Sequence, residues 1–240
     1  FVLFLLGEKD AAIKKLDLIL KLDPFERRFY EMGWPNTYSR LRAEFEEGRM
    51  FATQEDLKHF KGKLRTAIMA ADLYYEMERW EDARERYVRF DRKYGKRLDR
   101  VARAYVDLML AFSASTTRRK TEAYRRFSAF ESEKRYYGTP SWPRAMFWLA
   151  TYYQNKPETR PHAIKCLRRV YETIPKSETG GKALLTIGLY YYNFGDFEKA
   201  HEHLQACLRE YPGTWMAKGA QNILRALREK RENQQKGVKQ

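Results

Sequence analysis

From residue 184 the chain reads Leu184-x-x-Ile187-Gly188-x-x-Tyr191, then Gly195-Asp196-Phe197-Glu198-Lys199-Ala200, then Leu204, Cys207 and Pro212. Apolar residues recur at helical steps, stop at a glycine, and resume at the same steps until a proline. The whole has the length of a helix-turn-helix unit of about 34 residues. Such a unit cannot bury its apolar faces alone, so one good copy predicts a stacked helical array whose default function is recognition.

Further copies follow with uneven spacing. Gly7 to Ala12, with Leu16, Ile19 and Pro24, repeats the second half of the pattern, and Phe1 to Leu6 read as the tail of its first helix. Another copy centres on Ala71, Tyr74, Trp80, Ala83, Tyr87 and Phe90, with Gly95 where the proline would stand. Val101, Ala104 and Leu108 followed by Ala123, Phe127 and Phe130 predict a copy lengthened in its first helix or turn. Ala150 and Tyr153, then Ala163, Leu167, Val170 and Pro175, make one more, with an extra residue in the turn. The expected organisation is a half copy at 1–24, a degenerate copy or insertion at 25–63, and copies at 64–97, 98–140, 141–177 and 178–213. A capping helix at 214–232 and a frayed polar tail at 233–240 follow. Gly33-Trp34-Pro35-Asn36 leaves 25–52 open between an inserted loop and a degenerate copy with a helix near 37–47.

Local chemistry marks the boundaries. Ser141 before Trp142-Pro143 and Thr159 before Pro161 are expected N-caps beside prolines that a first helical turn tolerates. Thr53 with Asp56 resembles a capping box. Pro24, Pro175 and Pro212 should each end the helix before them. On the capping helix Trp215, Ala220, Ile223, Leu224 and Leu227 share the apolar side. With 13 Gly and 8 Pro against 15% aromatics, the chain reads as packed helices rather than a β-rich or disordered protein. No apolar run approaches the roughly 18 residues of a membrane span.

These residues resemble the tetratricopeptide repeat, most closely over 182–214. The resemblance implies an all-α solenoid of antiparallel helix pairs in a right-handed superhelix, with a concave groove lined by first helices. The junction Tyr211-Pro212-Gly213-Thr214, followed by Ala217, Ala220 and Leu224, is also similar to bacterial envelope repeat proteins, the outer-membrane assembly lipoproteins and the Tol-Pal coordinator. Periplasm or cell envelope and cytoplasm both stay open.

In the best copy Tyr191 takes the packing position, while Leu185, Leu189, Tyr192 and Asn193 share the opposite helix face, which in the family lines the groove. The same register puts Arg65, Ile68, Asp72 and Tyr75 on one first helix and Arg144, Phe147, Thr151 and Asn155 on another. Arg65, Arg144 and Lys182 then form a basic entrance with apolar and aromatic residues deeper in. The competing reading is ordinary helix surface. Chaperone-binding relatives clamp a terminal carboxylate with lysines and asparagines; here Leu185 and Leu189 occupy two of those places and Asn193 alone fits, so chaperone tails are not expected.

Lys and Arg total 47 against 32 acidic residues, a net charge of +15 that attracts acidic protein, nucleic acid or anionic lipid. The charge concentrates at 84–103, with Arg84, Arg86, Arg89, Arg92, Lys93, Lys96, Arg97, Arg100 and Arg103, and again at Arg118, Arg119, Lys120, Arg125 and Arg126. A third group is Arg160, Lys165, Arg168 and Arg169. A solvated basic surface is the plain reading; single-stranded RNA is the sharper one, although the irregular copies argue against a base-per-repeat code.

Catalysis finds no constellation. His201 and His203, two apart on a helix, diverge by roughly 200° and cannot readily share a metal; His59 and His162 stand apart. Gly180-Gly181-Lys182 resembles the end of a phosphate loop but lacks the earlier glycine and the following Ser or Thr. No catalytic residue, metal ligand or cofactor is expected. Cys166 and Cys207 fall on neighbouring second helices, which leaves both a disulfide and two buried thiols open. The function expected is a non-catalytic scaffold that takes a protein or peptide segment, favouring acidic sequence, within a larger protein or assembly. The alternatives are a basic nucleic-acid-binding repeat protein and a regulatory module beside an enzyme.

Overall fold

A computed structural model describes Asp56, residues 58–76 and residues 78–237. The half copy at 1–24, the stretch 25–52 and the Thr53 cap lie outside the described residues. Helices follow one another as α1 (Lys63–Glu76), α2 (Trp80–Tyr94), α3 (Arg100–Thr116), α4 (Lys120–Ser132), α5 (Ser141–Tyr153), α6 (Arg160–Thr173), α7 (Glu178–Phe194), α8 (Phe197–Glu210) and α9 (Trp215–Gly237). Short 3-10 turns stand at Gly95–Arg97, Lys134–Tyr136 and Pro157–Thr159, and no strand occurs among the described residues. The fold is all-α and built of helix pairs. The described residues through Arg126 with Thr139–Ser141 belong to one compact unit; Phe127–Gly138 with the described residues from Trp142 onward belong to another.

In the first unit α2 packs on both α1 and α3. Small residues stand where the helices come together, with Ala71, Ala83 and Ala102 all 0% exposed. Phe60 meets Phe90 and Tyr105 edge-on at 6.0 and 5.9 Å, and Ile68, Tyr87 and Met109 complete the cluster. Charge is handled inside the same unit. Arg103 Nη1 donates to Asp91 at 2.5 Å and its Nε to Asp107 at 2.9 Å. Glu122 accepts from Arg84 Nη2 and Arg126 Nε, each at 3.0 Å. Part of the basic stretch is thus spent on internal ion pairs.

In the second unit α7 packs on α6, α8 and α9. Leu184, Ala200, Leu204, Cys207, Met216, Ala220 and Leu224 form its core. Ala220, Leu224 and Leu227 of α9 are buried as expected, but Trp215 is 50% exposed and donates Nε1 to Glu178 at 2.9 Å. Met216, one residue and about 100° further round, takes the core place at 2% exposure. Helix α9 runs on to Gly237, into the segment expected to fray; Gln234, Gln235 and Lys236 within it are good helix formers.

The stretch 98–140, expected to be a copy lengthened in its first helix or turn, carries its extra residues elsewhere. Helix α3 matches α7 at 17 residues, the short turn 117–119 joins it to α4, and the added length follows α4 at 133–140. Two expected caps also need correction. Ser141 is the first residue of α5 rather than its cap, and Thr159 precedes α6 but directs its hydroxyl back to the Tyr153 carbonyl at 2.5 Å. An N-cap oxygen seeks the amide two or three residues on, and Pro143 and Pro161 have removed the nearer of those donors.

The caps that do form lie elsewhere. Ser177 accepts from Gly180 N at 2.9 Å, and Thr214 from Ala217 N at 3.2 Å. Asp99 accepts from the amides of Val101 and Ala102 at 3.0 and 2.9 Å and is 2.9 Å from His59. Partial burial opposes the charge on Asp99, but the Ala102 amide and His59 outweigh it and hold the carboxyl below its ordinary value. Its stabilisation is therefore present at neutral pH and lost as pH falls through that depressed value. Asp99→Ala is expected to cost about 1 kcal/mol, read as lost hydrogen-exchange protection at the start of α3, with Asp99→Asn retaining most of it.

Candidate partner-binding face

Helix α7 presents two faces because its residues alternate between packing and exposure at helical steps. One face, Leu184, Ile187 and Gly188, is buried. The other carries Lys182, Leu189 and Asn193, all exposed, with Leu185 and Tyr192 partly covered. Leu189 is 36% exposed, one of few large apolar side chains left so open among the described residues. At one end of this face Lys182 Nζ lies 5.3 Å from the centre of the Phe147 ring on α5, which brings two expected groove residues of different helices together. Thr151 is 3.5 Å from the Tyr190 hydroxyl, a second tie between the same helices. Asn155 donates to the Thr151 carbonyl at 3.2 Å. Leu185 lies against Gly219 of α9, where an added Cβ would sit 3.1 Å from Leu185 Cδ2. Tyr192 leans on Phe197 with ring centres 5.9 Å apart, and Lys230 of α9 stands 5.8 Å from the Tyr192 ring. Arg144 is partly exposed.

The corresponding positions on α1 are mostly interior, which corrects their assignment to an open groove. Ile68 and Asp72 are 0% exposed and Tyr75 8%; Arg65 is partly exposed. Asp72 accepts the Tyr87 hydroxyl at 2.7 Å, and Tyr75 meets Trp80 edge-on at 4.8 Å. Burial and the neighbouring Asp72 raise the Tyr87 hydroxyl well above its ordinary value, so it stays a donor. On α1 these side chains fill the interior.

In the tyrosine run Tyr191 packs against the core as expected, though it is not the most buried of the three. Tyr190 is the buried member at 6% exposure. Tyr191 is only partly covered and stacks on His203 of α8 at 5.3 Å and 4°. Burial lowers the His203 pKa, with Arg168 adding to the effect. An aromatic ladder escaped the sequence reading: Phe127, Trp148 and Tyr152 stack at 3.9 and 5.5 Å, both at 13°, and Tyr152 ends it 48% exposed. The step of four between Trp148 and Tyr152 was its only local signal.

Of the basic surface, Arg89, Arg92 and Lys93 on α2, Lys96 and Arg97 in the following turn, and Arg100 on α3 are all exposed. Arg118, Arg119 and Lys120 are exposed too. Arg118 adopts φ +60 where α3 ends, a left-handed conformation usually left to glycine. Cys166 and Cys207 are free, buried thiols, pushed by burial up to about 12 and about 11, which suits a packing role. Among the described residues no group of three or more His, Cys, Asp or Glu is placed to hold a metal ion, and no helix is long and apolar enough to cross a membrane.

Neither the curated proteins nor the solved structures contain a match to this chain. Residues 182–214 match the family model described as tetratricopeptide repeat. Those residues are most of α7, all of α8 and the junction Tyr211 to Thr214 beyond them, and within this pair Gly188 lies close against Leu204. The chain is thus an all-α protein of stacked helix pairs, whose α7–α8 pair is similar to the tetratricopeptide repeat.

Proposed function

We propose that the face shared by α5 and α7 takes a segment of a protein partner, and that acidic sequence is favoured. Tetratricopeptide repeats generally mediate protein–protein interactions, which supports a scaffold role. The observation that carries the reading is Lys182 over Phe147, on the side of α7 that also leaves Leu189 exposed about two turns further on. It puts apolar surface for burial beside a cation that selects carboxylates, the division of labour of a binding groove. Arg144 and the net charge of +15 extend the same preference. The scaffold would serve within a larger protein or assembly. The Tyr211 to Thr214 junction has a local role: Tyr211 donates its hydroxyl to the Pro175 carbonyl, and Thr214 caps α9. That role suits any stacked array and does not itself favour an envelope location.

Replacing Arg144, Lys182 and Tyr192 together by alanine is expected to remove a set of proteins captured from lysate while circular dichroism stays unchanged. The captured set should be indifferent to nuclease. An identical set on the triple variant refutes the proposal.

A second reading rests on the exposed run from Arg89 to Arg100, which lies on one stretch of the first unit and suits phosphate contacts. Filter binding over a salt series separates the two, because binding through several phosphates must weaken steeply with salt.

A further inference from the structure

The side of α7 opposite the proposed binding face borders an open cavity of about 610 Å³, within the range of about 300–1,000 Å³ typical of ligand sites. Its floor is apolar, with Pro161 and Ile164 of α6 and Tyr191 and Phe194 of α7. Its walls carry Arg160, Lys165, Arg168, Arg169 and Lys199 against only Glu172 and Asp196. This joins the third basic group of the sequence to two aromatic residues distant from it in the chain.

The charges are not balanced internally. Asp196 is taken by Lys199, whose Nζ is 2.6 Å away and whose amide donates at 3.2 Å. Arg169 donates to the Glu131 carbonyl at 3.2 Å. Arg160 lies over the Phe194 ring at 4.5 Å, and its buried Nε meets no hydrogen-bond acceptor among the described residues. Lys165 and Arg168 are exposed and form no ion pair among the described residues. Three cations therefore surround an apolar floor without a carboxylate of their own, and an anionic occupant would supply it.

The ring faces distinguish the class of occupant. A nucleobase needs an open aromatic face to stack on. Phe194 holds the Arg160 guanidinium, and Tyr191 is stacked on His203 with Lys199 5.5 Å from its ring. What remains is a greasy floor with a cationic rim, complementary to an apolar side chain flanked by carboxylates.

We infer that the cavity between α6 and the α7–α8 turn is a second docking site, separate from the α5–α7 face, for an acidic protein segment that inserts a bulky apolar side chain. The test is fluorescence anisotropy on the full chain with a labelled peptide of glutamates around a central leucine-phenylalanine pair. Lys165→Glu with Arg168→Glu is expected to weaken binding at least about tenfold, with unchanged circular dichroism. Replacing the peptide's leucine and phenylalanine by alanine should weaken it comparably. The Arg144, Lys182 and Tyr192 triple variant should leave it intact, so this site and the proposed face succeed or fail separately. Unchanged binding after the double charge reversal overturns the inference. So does equally tight binding of the alanine peptide or of an oligouridylate of matched charge, since either marks simple polyanion attraction.

Discussion

Trp142→Ala is expected to destabilise the second unit by about 3–5 kcal/mol, the range for deleting a large buried aromatic side chain. Trp142 is 1% exposed and meets Tyr137 edge-on at 5.1 Å. Its Nε1 also donates to the Phe130 carbonyl at 3.0 Å, tying the end of α4 to the start of α5 across the long connection. Alanine leaves a cavity and an unmatched carbonyl together, and the two costs fall on the same place. Trp142→Phe separates them: it keeps most of the apolar volume and loses the hydrogen bond, for about 1 kcal/mol. Because the chain has two compact units, a single melting midpoint is a poor measure. Hydrogen exchange is better, and the loss of protection should concentrate on α5 and α6. Equal protection in Trp142→Ala and Trp142→Phe would show that the ring volume matters less than the hydrogen bond.

The α7–α8 pair was legible because its key residues are limited by how closely two helices approach. Gly188, Ala200, Leu204 and Cys207 are all buried, with Gly188 close against Leu204, and such positions tolerate few residue types, so their spacing survives as a pattern. Helix ends were less legible. Ser141 and Thr159 have the right side chain for a cap, but each has a proline two residues on, and the competing loss of a donor decided the outcome. Asp99 and Ser177 cap helices from positions that carry no periodic signal.

The candidate face shows the same division. Angular position along a helix is fixed by sequence spacing, so Lys182, Leu185, Leu189 and Tyr192 fall on one side of α7. What covers that side depends on other elements. The same angles on α1 place Ile68, Asp72 and Tyr75 in the interior. Tyr190 and Tyr191 differ by one residue, and neighbouring helices decide which of the two is buried. The cavity beside α6 was half visible: the sequence marks Arg160, Lys165, Arg168 and Arg169 as a basic group. Nothing local brings Tyr191 and Phe194 beneath them, because that requires α6 to pack on α7.

Gly180→Ala is expected to cost about 3 kcal/mol, at the upper end of the usual range for overpacking, and Gly188→Ala clearly less. Both glycines lie in α7, so alanine recovers up to about 1 kcal/mol of helix propensity at each; the surroundings decide the net sign. At Gly188 the added Cβ would come 2.7 Å from Leu204 Cγ and 2.8 Å from its Cδ2, and a side chain can rotate or shift. At Gly180 the nearest atom is the Ile174 carbonyl oxygen at 2.2 Å, with the Pro175 oxygen at 3.1 Å. That oxygen belongs to the backbone linking α6 to α7, so relief requires moving the link itself. Moving Gly180 instead pulls its amide from Ser177 Oγ, at 2.9 Å, and unmakes the cap of α7. The two cases are distinguished by a double-mutant cycle. Leu204→Ala should cost less in a Gly188→Ala background than in the native chain, because the truncation removes the clash. The same truncation should show no coupling to Gly180→Ala. Coupling at both glycines, or at neither, would mean that helix approach in this pair is not set by Gly188 against Leu204 and Gly180 against the Ile174 carbonyl.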